Sequence, residues 1–279
     1  MRDTLIIAHL TYREAQRRKI LWAALGLGLA FVLLYGIGFY FIYREISQYL
    51  TTGRDIALDS GFNFVVMAGL YVVSFLGVML AVLTSVGSLA GEISSHTIQA
   101  LAVKPLRRAT LVLGKWLGLA LMLAIYIALL VFGIVGSTWA ISGYWLPRLF
   151  EGLGLMILQA WIMLTISILG GTRMSTIANG VVAFMLYGLA FIGGWIEQFG
   201  AMTYNETAVD IGILTSLLVP SEAMWKKAAA IMQPAIVVAL PVSPFSMGLA
   251  PSSAMILYAV AYTMALLALA VYSFNHRDL

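Results

Sequence analysis

From Ile20 to Tyr43 the chain carries no charged side chain, and five further apolar runs follow: Phe62–Leu89, Leu111–Ile141, Leu149–Leu169, Ile177–Ile196 and Met255–Phe274. Only Lys115 and Glu151 interrupt them. A helix needs about 20 apolar residues to cross the hydrocarbon core of a bilayer, and each run supplies them. Backbone groups in hydrocarbon must be satisfied within their own segment, which leaves helices as the economical solution for such runs. The expected fold is therefore an all-α polytopic membrane protein with six transmembrane helices, spread over a single domain of residues 1–279. Composition agrees: 62% of residues are hydrophobic and 10% are charged, against about 25% charged in an ordinary globular domain.

Six spans place both termini on one side. Five of the 16 Lys and Arg residues fall at the opposite end of the spans, namely Arg44, Arg54, Arg148, Lys226 and Lys227. The remainder collect with the termini, which by the positive-inside rule puts both termini in the cytoplasm of a multi-pass cell-membrane protein. The net charge of +4 is read as this topology, and no nucleic-acid partner is expected.

Residues 2–19 carry Leu5, Ile6, His9, Leu10 and Tyr12 on one side and Arg13, Glu14, Arg17, Arg18 and Lys19 on the other side and at the end. That pattern predicts a helix lying in the headgroup plane with its basic residues towards anionic lipid. Its polar first twenty residues do not suggest a cleavable signal peptide.

Between the second and third runs lies GSLAGEISSHTIQALAVKPLRRATLVLGKWLG, Gly87 to Gly118. Glu92 opens it, Ser94–Val103 forms a short amphipathic piece, Pro105 breaks it, and Arg107 and Arg108 precede the next run. Ile98, Leu101 and Ala102 stand at i, i+3 and i+4, the spacing of one apolar helix face. Such a face fits a groove on a soluble partner, or equally the lipid surface. Two GxxxG patterns, Gly87–Gly91 and Gly114–Gly118, flank the stretch, and they suit either packing within one subunit or a dimer contact.

Residues 197–254 are too long for a turn and too apolar for a solvated loop. Val209–Val219 is too short to cross. Pro220-Ser221-Glu222 predicts a helix start with Ser221 as cap and Ala223–Met232 a helix, while Pro234, Pro241, Pro244 and Pro251 interrupt the remainder of the segment. The expectation is an extracellular segment of short helices, some dipping back into the outer leaflet.

Catalytic and metal chemistry find little support. Ser94, Ser95 and His96 are neighbours in sequence, which is not the spatial convergence a nucleophile and base require. GxSxG, HExxH and GxxxxGK[ST] are all missing. The chain has no cysteine, and its histidines, His9, His96 and His276, are scattered, so no metal site is expected. No acid stands clearly in mid-span, which argues against a proton-driven pump.

The central stretch resembles the cytoplasmic loop of the ABC-2 type permeases, the membrane subunits of a large class of ABC exporters. Glu92 matches the acid that opens the family's loop. Thr97, Ala100 and Leu101 match its coupling helix, Lys104, Pro105 and Arg108 its K-P-x-x-R segment, and Gly114 and Lys115 its glycine-lysine pair. His96 stands where glycine is commoner, and Ala100 where leucine often is. Pro220-Ser221-Glu222-Ala223 is similar to the family's P-S/T-D/E-A motif, and Arg277 to Leu279 reads R-D-L. The compact length is closest to permeases resembling the membrane subunit of the nitrous-oxide-reductase maturation transporter.

The resemblance implies a non-enzymatic permease subunit of an ATP-binding cassette exporter. It would work with two copies of a separate ATPase, which would carry the ATP and Mg, and with a second permease, identical or paralogous. Coupling would run through residues 92–108: Glu92, Thr97, Ile98, Ala100, Leu101, Lys104, Pro105 and Arg108. Substrate would pass near spans two and five, where Phe62, Phe64, Met67, Tyr71, Phe184, Met185 and Tyr187 suit an apolar path. The same side chains would also serve as lipid-facing or core residues, and that plainer reading has the greater weight. The rival function is a membrane scaffold without transport, docking a soluble partner through the same loop.

Overall fold

The computed structural model describes residues 2–49, 56–94, 107–234 and 250–277. Described residues form helices and short connections, with no strand among them. In chain order the helices are α1 (Arg2–Arg17), α2 (Lys19–Tyr49), α3 (Ile56–Ser94), α4 (Arg108–Ser142), α5 (Leu149–Gly171), α6 (Thr176–Met202), α7 (Glu206–Leu218), α8 (Ser221–Met232) and α9 (Ser253–Asn275). Six of them, α2, α3, α4, α5, α6 and α9, are long and apolar enough to cross a membrane. The all-helical polytopic fold expected from the apolar runs is the fold found.

α3, α4 and α5 make the centre, most of each apolar stretch being buried, whereas α2, α6 and α9 are peripheral and largely exposed. α2 touches the centre along one narrow stripe, Leu21, Gly28, Tyr35 and Phe39, which is the i, i+7, i+14 periodicity of a single helix face. Its other sides present Trp22, Leu27, Leu33 and Leu34 outwards, as a lipid-facing helix requires. Hydrogen bonds between spans include Ser74 Oγ to Gln159 Oε1 at 2.6 Å, Trp116 Nε1 to Thr165 Oγ1 at 2.8 Å and Asn179 Nδ2 to Ser167 O at 2.8 Å. Each removes a polar group from lipid and fixes the register of two helices.

The start of α1 and the end of α9 lie at one end of the bundle, beside the start of α4. The N-terminal helix α1 packs along α4, and Arg108, the first residue of α4, reaches the last carbonyls of α9. The α5–α6 turn is at the same end, where Thr172 Oγ1 lies 2.9 Å from Ser273 Oγ on α9. At the far end α4 closes on Gly143, which adopts φ 69°, a left-handed conformation open to glycine without strain.

Beyond α6 the chain doubles back. α7 packs closely on α6 through Gly193, Gly200 and Gly212, where added methyl groups would strike Thr215, Ala208 and Glu197 respectively. α8 then turns by 109°. Two features of the 197–254 reading need correcting. α6 runs on to Met202, so Glu197 and Gln198 belong to that helix. The cap of α8 is Pro220, and Ser221 caps nothing. Proline disfavours helical backbone in the residue before it, so Val219 is extended (φ −138°, ψ 96°) and Ser221 is already inside the next helix. Tyr258 and Tyr262 on α9 donate to the carbonyls of Leu217 and Leu218 at 2.5 and 2.9 Å, completing the end of α7 that this bend leaves open.

Candidate functional site

Of the residues expected to couple, Thr97, Ile98, Ala100, Leu101, Lys104 and Pro105 lie outside the described residues, and Glu92 is known only as backbone in the last turn of α3. Lys115 is buried in α4, and its Nζ donates to the carbonyl oxygen of Ser88 on α3 at 2.9 Å. A lysine can sit there because its stem lies in apolar surroundings while the ammonium is taken up by a carbonyl oxygen in a charge-assisted hydrogen bond.

The amphipathic α1 holds the start of α4 from another side. At Gly114 an added Cβ would come within 2.6 Å of Ile7 Cγ2, and at Gly118 within 2.5 Å of Ala8 O and 2.9 Å of Thr11 Cβ. The second GxxxG pattern is thus a seat for the chain's own N-terminal helix. α1 consequently has two apolar faces. Thr11 and Ala15 are buried with half-buried Ile7 against the bundle, while Leu5, Ile6 and Leu10 are exposed at 65, 51 and 59%, the arrangement of a helix that is half protein-bound and half lipid-facing.

Arg108 faces inwards among the helix ends. Its Nη1 donates to the carbonyls of Asn275 and Arg277 at 3.1 and 2.7 Å, capping α9 at its C-terminus. Arg277 in turn donates to the carbonyl of Thr172, and Arg173 Nε to Ser273 Oγ at 2.9 Å. Basic side chains thereby knit α4, the α5–α6 turn and α9 at the end that carries the termini.

The seven residues suggested for a substrate path fall into four settings. Phe62 and Met67 are core: Phe62 packs among Phe39, Tyr43 and Tyr144, and Met67 is fully buried. Tyr71 and Tyr187 belong to an aromatic cluster with Phe75, Phe191, Trp195 and Trp225. Phe64 is exposed on α3. Phe184 and Met185 line an open apolar cleft of about 660 Å³ between α3 and α6, with Leu83, Val86, Ile177 and Val181.

A polar site also emerges at the far end that sequence reasoning missed. Lys226 Nζ on α8 pairs with Glu197 Oε2 on α6 at 2.7 Å, both side chains being almost enclosed. Glu222, one helical turn before Lys226, is only 4% exposed. Its stem lies on Gly194, where an added Cβ would meet Glu222 Cγ at 2.5 Å. Burial pushes the Glu222 carboxyl up to about 7, Lys226 pulling it down and Glu197 adding to the rise. Glu222 and Lys226 at i, i+4 were a legible signal. Glu197 was hidden because the fifth run was ended at Ile196, six residues before the end of α6. Among the described residues no three His, Cys, Asp or Glu group to hold a metal.

The family model for ABC-2 family transporter protein matches residues 5–279. The chain belongs to the ABC-2 transporter family. A comparison with curated proteins found no match. Family membership and the six apolar helices make this ABC-2 chain a multi-pass membrane permease, the membrane subunit type that generally works with an ABC ATPase.

Proposed function

We propose that this permease exports its substrate using ATP hydrolysed by two copies of a separate ATPase, which hold the ATP and Mg, and that it pairs with a second permease, identical or paralogous. Both termini and residues 92–108 face the cytoplasm in this reading, and the apolar face of Ile98 and Leu101 docks on each ATPase. One observation carries it. The two helices that enter and leave the 95–106 segment are locked together by Lys115 and Ser88, and α1 is clamped over the same place. A push on that segment therefore reaches α3 and α4, the centre of the bundle, as a rigid-body displacement instead of being absorbed by a loose loop.

The substrate path in this reading runs along the α3–α6 cleft, whose apolar lining by Phe184, Met185 and Leu83 suits a lipid-like or amphipathic cargo. Affinity purification in mild detergent with mass spectrometry tests the assembly. An ATPase bearing a P-loop at equal stoichiometry is the expected companion, and a second permease sequence in the same sample would mark a heterodimer. Recovery of the chain alone would favour the non-transporting scaffold.

A further inference from the structure

Glu197, Glu222 and Lys226 line one small cavity at the end of the bundle away from the termini, together with Tyr71, Trp195 and Trp225. The charges do not balance. Lys226 is committed to Glu197 at 2.7 Å, and Glu222 Oε2 is buried without a hydrogen-bond partner. A buried carboxylate oxygen left so is costly unless something positive reaches it. Around it the rings are held in place: Trp195 Nε1 donates to Tyr71 OH at 3.1 Å, and the Tyr71 and Trp225 rings lie 5.2 Å apart.

We propose that this cavity binds a primary ammonium group, its charge against Glu222 and its methylene against the rings of Tyr71, Trp195 and Trp225. Aromatic walls favour an organic ammonium through cation–π attraction. A hard metal ion would need about six oxygen ligands, whereas the cavity is lined by two carboxylates, one of them already paired with Lys226. The cavity is about 40 Å³, room for about three water-sized groups, so the head enters and the remainder of the ligand stays outside beside exposed Ala250. A soluble amine and an ethanolamine lipid headgroup share this chemistry.

Binding also displaces a proton. The ionisable groups that act on Glu222 are Lys226 on its own helix and Glu197 on α6, and it acts in turn on Tyr71 and Tyr187. Its carboxyl is held up to about 7, so affinity for the cation falls below that pH and levels off above it.

The cysteine-free chain makes the test direct. Ala250→Cys places a thiol at the mouth, and Tyr204→Cys, at a position 94% exposed, reports intrinsic reactivity. Relative to that reference, an aminoethyl thiosulfonate should modify Ala250→Cys about tenfold faster than its sulfonate analogue, through focusing of the local field. Ethylammonium chloride should slow the reaction saturably where equal sodium chloride does not, and more weakly at pH 6 than at pH 8. Glu222→Gln should abolish both effects and Glu222→Asp should keep them.

Equal rates for the two reagents, protection by sodium alone, or protection that persists in Glu222→Gln would overturn the assignment. In nanodiscs, protection by phosphatidylethanolamine but not phosphatidylcholine identifies a lipid source, and protection only by added ethylammonium identifies a soluble one. Protection by neither in nanodiscs overturns the proposal. None of these readings depends on whether an ATPase is attached.

Discussion

The ammonium of Lys115 lies 2.9 Å from the carbonyl oxygen of Ser88, and both residues are buried. This bond joins α3 and α4 about two turns from the 95–106 segment on each side. A charge-assisted hydrogen bond in a water-poor setting is stronger than its neutral counterpart, so it fixes the spacing of the two helix ends. Lys115→Met removes the donor and keeps the length. Amides in the last turns of α3 should then exchange with solvent about tenfold faster, the equivalent of about 1.4 kcal/mol. Unchanged exchange over Ser88–Ser94 would show that the bond does not hold these ends.

Gly118 tests the seat of α1. A valine there would drive its branched side chain into Ala8 O and Thr11 Cβ, both in the packed surface of α1, at an overpacking cost of about 1–3 kcal/mol. Gly118→Val should lift α1 and speed tryptic cleavage at Arg17 and Arg18. Gly136→Ala, where nothing lies within 4 Å, should leave cleavage at the wild-type rate.

For the buried pair, Lys226→Met leaves Glu197 and Glu222 facing one another without a cation. Breaking a buried pair costs about 3–5 kcal/mol, because a charge is stranded, while replacing both members is often nearly neutral. The melting temperature should therefore drop in Lys226→Met and recover for the most part in Glu197→Gln/Lys226→Met. Losses that simply add would contradict the pairing.

Much of this fold was legible in the sequence because apolar length decides it. All six spans stand where the runs predicted, and the helix after Pro220 was foreseen. The failures share one cause: the sequence shows periodicity but not what a face meets. Gly114 and Gly118 looked equally suited to a dimer or an internal contact until Ile7 and Ala8 occupied them. Arg108 matches a coupling motif, and the motif could not show that its guanidinium also meets the carbonyls of Asn275 and Arg277, far along the chain. Glu197 read as the first loop residue because a charge usually ends a span. In the structure Lys226 neutralises it and α6 continues for another turn.

Glu222 gives the fold a pH dependence whose sign follows from its raised carboxyl. Between the ordinary value of 4.5 and about 7 the folded chain keeps a proton that the unfolded chain has released. Stability from this group is full below 4.5, falls as pH rises through that window, and is level above it. At about 1.4 kcal/mol per unit the change is on the order of 3 kcal/mol. Glu222→Gln should remove it, so that between pH 4.5 and 7 the melting temperature falls more steeply in the wild type than in the variant. Parallel curves would show that Glu222 does not titrate in this way.

Coupling through residues 92–108 is the central claim, and Leu101→Asp tests it most directly. A charge on the face that the spacing of Ile98 and Leu101 predicts would oppose docking in an apolar groove without altering any span. The measurement is the amount of P-loop ATPase that co-purifies with wild type and with Leu101→Asp at equal membrane insertion. The expected result is an ATPase at equal stoichiometry with the wild type and at least about tenfold less with the variant. Equal recovery from both would contradict coupling through this segment.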